Sequence, residues 1–218
     1  MRLAVLIVLG VAVLVGAVAS YYHYHAWREN RYDDFIVEAA NDHQVDPALV
    51  KALYKAQQDL GFSDTDSKGL LLVPPRVANA YLQAKGRTSW RYICPNRHFR
   101  NHDGNKPEQF TSDKRGRCNV PGCGQPLVEE LLDPATNIEV VCWSLSEARR
   151  AVEETGARHS PEELRRLLVI AYRWGFPTRR TPITLTPDQK TFLDYIEKVY
   201  PQYLDYFSKR ARRARRNK

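Results

Sequence analysis

The stretch Asp133-Pro134-Ala135-Thr136-Asn137-Ile138, DPATNI, running on through EVVCWSL to Leu145, decides how this chain folds. An aspartate before a proline sets a side-chain acceptor at a helix cap. It also sets a residue without a backbone N–H at the first helical position, where that N–H has no partner anyway. The same device recurs at Asp46-Pro47, Ser160-Pro161 and Thr186-Pro187. Two of these extend to capping boxes, Ser160 with Glu163 and Thr186 with Gln189. Apolar residues then follow at helical spacing: Leu49, Ala52, Leu53 and Ala56; Leu164, Leu167, Leu168 and Ala171; Phe192, Tyr195, Ile196 and Val199. An earlier helix is expected over Tyr32–Asn41. No long alternating run calls for a large sheet, and no internal repeat is present. The body reads as mainly α.

The chain has 218 residues, enough for one domain with a core plus appendages. Its net charge is +8, but seven Lys or Arg and no acid fall in SKRARRARRNK, residues 208–218, leaving +8 − 7 = +1 for the rest. Basic character therefore belongs to a tail and does not define the fold. Such a run reads first as a solvated end. It also offers an anionic polymer or lipid surface a counterion-release gain.

At the other terminus, Leu3 to Ala19 carries no charge and no polar face, and residues 1–20 are just long enough to cross a bilayer. We read them as a transmembrane signal anchor. Cleavage after Ala17-Val18-Ala19 is the alternative. Arg28 and Arg31 follow the segment, so charge does not fix its orientation. The aromatic and His-rich YYHYHAW lies in a linker, 21–31.

Residues 92–129 break the helical pattern with Gly, Asn, Arg and Cys. A structureless loop of that length inside a compact domain needs a staple. Cys94 and His98, then Cys118 and Cys123, form two close pairs that can bring four ligands to a tetrahedral zinc ion, as in a zinc ribbon. His102 is a substitute fourth ligand. The rival is disulfide pairing with Cys142 as the fourth member, although Cys142 in a helix also reads as buried packing.

Taken in order, YDDFIVEAANDHQVDPALVKAL, GLLLVPPRVANAY, DPATNIEVVCWSL, LLVIAYRWGFP and LDYIEKVYPQY resemble the lytic transglycosylases of the soluble-lytic (SLT) type. The resemblance covers residues 32–91 and 130–207, leaving out the insert, and implies a discontinuous lysozyme-like domain acting on peptidoglycan. In that family the helix opened by VDP ends in Glu-Ser. The Glu protonates the glycosidic oxygen between muramic acid and glucosamine, then takes a proton from the muramic 6-hydroxyl. One buried carboxyl group with a raised pKa serves both steps.

Counting from VDP without a gap puts Gln57 at the acid and Gln58 at the serine. The other alignment, anchored on Gly61-Phe62, makes Asp59 the acid. It needs a two-residue insertion that rotates later side chains by about 200°. An amide does not titrate in the useful range, and losing general acid–base catalysis costs about 10² to 10⁴ in rate. Other departures run the same way. The family's GLMQ stands here as Gly69-Leu70-Leu71-Leu72, and its AYN-G as Ala171-Tyr172-Arg173-Trp174-Gly175. Val141 replaces a Gly, and Ser144 a Tyr. Asp64 and Asp66 sit on a turn without the desolvation that tunes a carboxyl.

The apolar segment and the resemblance together lead us to expect a protein anchored in the cytoplasmic membrane, with its ectodomain in the periplasm or outside. Its catalytic machinery is degenerate, and glycan contacts fall on Asn137, Tyr172, Leu72 and Arg173. An active enzyme using Asp59 is the runner-up. A third reading makes the cysteine module and basic tail the working parts, with the helices as scaffold.

Overall fold

The computed structural model describes the chain except residues 1, 62–65, 97–98, 101–107, 110, 113–115, 119–121, 176–183 and 217–218. For 2–12 and the strand residues between 99 and 112 it describes the backbone alone. The molecule is mainly helical. It divides into two compact units, Met1–Asp34 and Phe35–Lys218.

The first unit is built on α1, Arg2–Asn30. Residues 21–31, expected as a linker, are helical through Asn30. Linker readings rest on composition, and Tyr, His, Trp and Ala do not break a helix already under way. Among the described residues no helix is long and apolar enough to cross a membrane. Most of the apolar run Leu3–Ala19 lies at 2–12, whose side chains fall outside the description.

Helix α2 (Asp33–Asp42) begins at the end of the first unit, and the second unit continues with α3 (Pro47–Leu60), α4 (Pro75–Ala84), α5 (Pro134–Glu154), α6 (Pro161–Trp174) and α7 (Pro187–Arg216). The capping chemistry read from sequence is what opens four of them. Asp46 accepts from the Ala48 amide at 2.8 Å and Asp133 from the Thr136 amide at 3.1 Å. Both capping boxes close, Ser160 with Glu163 at 2.8 and 3.2 Å and Thr186 with Gln189 at 2.9 and 3.3 Å. Gly61 ends α3 in the left-handed region at φ 60°, which costs a residue without Cβ nothing. Helix α4 gave no such signal, because it is preceded by Pro74, which has no side-chain acceptor.

Helix α3 packs along α7, and α5 along α6. Their facing residues, including Leu53, Tyr54, Ile138, Leu145, Phe192 and Ile196, are at most 2% exposed. Lys51 is wholly buried in this seam, with its ammonium 5.7 Å from the Tyr54 ring and 5.9 Å from the Tyr203 ring. Helix α7 passes through Pro201 without stopping and continues to Arg216. The end of the chain, expected as a solvated tail, is therefore helical to that point.

The cysteine-rich insert forms two small antiparallel sheets. One has the order β4 (Thr111–Ser112), β1 (Tyr92–Ile93), β5 (Val128–Glu129); the other pairs β2 (Phe99–Arg100) with β3 (Glu108–Gln109). Ile93 stands opposite Thr111 on one side and Val128 on the other. The sheet passes into a 3-10 turn, Glu130–Leu132, that leads to the α5 cap. Arg87 pairs with Glu130, and Lys68 with Glu129 at 3.1 Å, tying the base of the insert to the helical body.

Candidate functional site

The end of α3 carries Gln57, Gln58 and Asp59. Gln57 is 9% exposed, on the face that packs into the body. Gln58 donates to the Tyr54 hydroxyl. Asp59 lies on the outer face, with its side chain 36% exposed, and pairs with Lys55 at 3.1 Å one turn back. Tyr195 of α7 donates its hydroxyl to the same carboxylate. Asp59 thus faces a cation and a phenol donor at the surface of the α3 end, not a shielded cleft. Asp64 lies outside the described residues, and Asp66 is exposed.

Asn137, Tyr172, Leu72 and Arg173 are brought together, around one tight turn between Lys68 and Val73. The turn is closed by Lys68 and Val73 exchanging backbone hydrogen bonds at 3.1 and 2.9 Å. From α5, the Asn137 side chain, 0% exposed, bolts it down. Its Oδ1 accepts from the Leu71 amide at 2.8 Å, and its Nδ2 donates to the carbonyls of Lys68 and Leu131 at 3.1 and 3.0 Å.

From α6, the Tyr172 hydroxyl donates to the Leu71 carbonyl at 2.9 Å, and Arg173 Nη1 to the Leu72 carbonyl at 3.0 Å. Burial pushes the Tyr172 phenol well above its ordinary range, so it remains a donor. Arg76 binds back from α4 to the carbonyls of Ala171, at 2.9 Å, and Tyr172. Asn137, Tyr172 and Arg173, at 0%, 1% and 5% exposed, therefore hold backbone. Of the four expected glycan contacts only half-buried Leu72 faces outward enough to meet a ligand.

Two features of this turn escaped sequence reading. A Cβ on Gly69, at φ 80°, would stand 2.0 Å from Asn137 Nδ2, so only glycine admits the asparagine clamp. Leu72 itself sits at φ 48°, a left-handed conformation that costs a side-chain-bearing residue about 1 kcal/mol or more. The glycine was a legible signal; the leucine was not.

The insert gathers Cys94, Cys118 and Cys123, whose sulfurs all lie within 4.8 Å of one another. Cys94 follows β1 at a turn. Cys118 and Cys123 come from segments 116–118 and 122–127, joined by Cys118 N donating to Gln125 O and Leu127 N to Gly116 O, each at 2.8 Å. Gly122 and Gly124, at φ 79° and 57°, bend the backbone on either side of Cys123. The Cys94 and Cys123 sulfurs are 3.7 Å apart. Thiolates at about 2.3 Å from a tetrahedral ion stand about 3.8 Å from each other.

The Cys123 thiol is held below its ordinary value, chiefly by the Gln125 backbone N–H, with Cys94, Cys118 and Asn96 adding to the effect. Cys94 and Cys118 are buried with Leu127 and backed by Tyr92. Three thiols at this spacing can hold a metal ion. His98 and His102 lie outside the described residues. All four cysteines are free thiols. Cys142 stands apart from the other three, fully buried in α5, where burial pushes its thiol up to about 12. A disulfide scheme that needs Cys142 is not supported by this arrangement; its role is packing.

No protein-family model matches the chain, and no curated protein matches it either.

Proposed function

We propose that the chain is a catalytically silent relative of the SLT-type lytic transglycosylases, with a lysozyme-like helical domain that binds peptidoglycan strands. One observation carries this reading. The residue aligned with the acid is the carboxamide of Gln57, while Asp59, two residues on, is committed to Lys55 and Tyr195 at the surface. Neither group supplies the shielded carboxyl group that donates and then retrieves one proton. The clamp from Asn137 and Tyr172 onto the 68–73 turn is retained architecture that a binding groove needs as much as a catalytic one does.

The same reading makes α1 a single-pass anchor in the cytoplasmic membrane. Supporting it, Tyr21, Tyr22, Tyr24 and Trp27 follow the apolar run on one continuous helix and are 55–69% exposed. That is where amphipathic rings sit at a membrane interface. The cysteine module is proposed to hold zinc through Cys94, Cys118 and Cys123, with His98 as the fourth ligand. Zinc would staple a module of short strands that has little core of its own.

The test is co-sedimentation of the full chain, in a neutral detergent, with purified sacculi. The chain is expected to pellet with sacculi and to be displaced by soluble glycan strands. Failure to pellet at micromolar concentration contradicts the reading. Metal analysis of the same sample is expected to give one zinc per chain, and Cys118→Ser should remove it.

A further inference from the structure

The C-terminal third of α7 is built differently from the rest of the helix. Tyr203 and Phe207, each 8% exposed, face the body. Helical spacing continues their line as Ala211 and Ala214. On the opposite side the same spacing aligns Lys209, Arg212, Arg213 and Arg216 within an arc of about 100°. These four line a hollow of about 150 Å³ between their side chains. Residues 211–216 are all exposed. Asp205 pairs with Lys209 at 2.7 Å, and residues 206–216 contain no Asp or Glu to neutralise the arginines.

We infer that this face is a binding site for a linear phosphodiester chain. Arginine predominates, and its planar fork binds phosphate oxygens in pairs where lysine offers only a point charge. Successive turns present cations about 5.4 Å apart along one line, which suits a polymer whose charges are strung in a row. A bilayer surface fits less well. The apolar side of this segment ends at Phe207, and the two alanines beyond it give too little apolar area to bury among lipid tails. Because α7 is held to α3 upstream, the cations are arrayed before the ligand arrives, and ordering them takes less entropy than folding a loose tail. This site is independent of the peptidoglycan reading.

The test is fluorescence anisotropy of the full chain in neutral detergent, with labelled oligothymidylate and labelled poly(glycerol phosphate) as separate probes. Both are expected to bind, because the recognised group is the diester. The slope of log K against log salt should be about −3, the value for some four phosphates on a single strand. Changing Lys209, Arg212, Arg213 and Arg216 to Gln together should lower affinity at least tenfold.

A second variant, Ala211→Arg/Arg212→Ala/Arg213→Ala/Ala214→Arg, keeps the composition and moves two cations to the body-facing line; it should also lose affinity. Equal binding by this permuted chain overturns the inference, since charge without register would then suffice. Binding to oligothymidylate alone overturns it too, as base recognition. So does binding confined to phosphatidylglycerol vesicles.

Discussion

At the scale of single residues, Gly69 and Asn137 form a pair. Gly69→Ala places a Cβ against Asn137 Nδ2 and strains a left-handed φ, so it should destabilise the fold by about 2 kcal/mol or more. Asn137→Ala leaves buried backbone groups of Lys68, Leu71 and Leu131 without their partner, a loss of about 2 to 4 kcal/mol. The double variant should lose less than the sum, because removing the asparagine also removes the clash. Urea denaturation of the four chains checks this, and strict additivity would contradict the clamp.

Tyr172 gives a pH signature. Its folded pKa is raised by burial above the unfolded value of about 10. The folded state therefore holds a proton that the unfolded chain releases, and the contribution of Tyr172 to stability is complete below about pH 10 and falls as pH rises beyond it. Tyr172→Phe should flatten that alkaline decline and cost about 1 kcal/mol at neutral pH. An unchanged decline in thermal melts at pH 9 to 11 would show that the hydroxyl does not titrate against the fold.

What was legible at this scale was limited. Asn137, Tyr172, Leu72 and Arg173 were expected to contact glycan; they meet at one turn, where three of them hold backbone, and a sequence does not say whether a polar side chain faces a ligand or a carbonyl. Only the third dimension turned Asn137 inward.

At the scale of elements, the sequence carried much of the fold, for a local reason. Capping depends on residues three or four apart, so Asp46, Asp133, Ser160 and Thr186 announced their helices unaided. Replacing Ser160 by Ala should remove the reciprocal bonds with Glu163 and cost about 1 kcal/mol, read as a lower melting temperature. Where a start lacked a polar cap, as at Pro74, or a helix ran on past a compositional boundary, as at residues 21–30 and 208–216, local signals were silent.

The insert shows the opposite limit. Its spacing named Cys94, His98, Cys118 and Cys123 as a group, of which the three cysteines meet and His98 lies outside the described residues; the separation from Cys142 depends on long-range packing. On the zinc proposal, chelation should raise hydrogen exchange in β1, β5 and the segments 116–118 and 122–127 and leave α3 and α7 unchanged. Uniform loss of protection, or none, would contradict a metal confined to the insert.

At the scale of the whole molecule, two features share the second compact unit. The near-neutral body keeps a packed helical core around Lys51 and the α3–α7 seam, while net positive charge gathers at the far end of α7. On the proposed relationship, the body positions expected to carry chemistry are amides or hydrocarbons, and Asn137, Tyr172 and Arg173 hold backbone. Such a body is proposed to keep its shape without transferring protons.

The most direct measurement is mass spectrometry of the material released when the full chain is incubated with purified sacculi. The account predicts no 1,6-anhydromuropeptide above the buffer control, from either wild type or Asp59→Asn. Anhydro products formed by the wild-type chain and abolished in Asp59→Asn would contradict it.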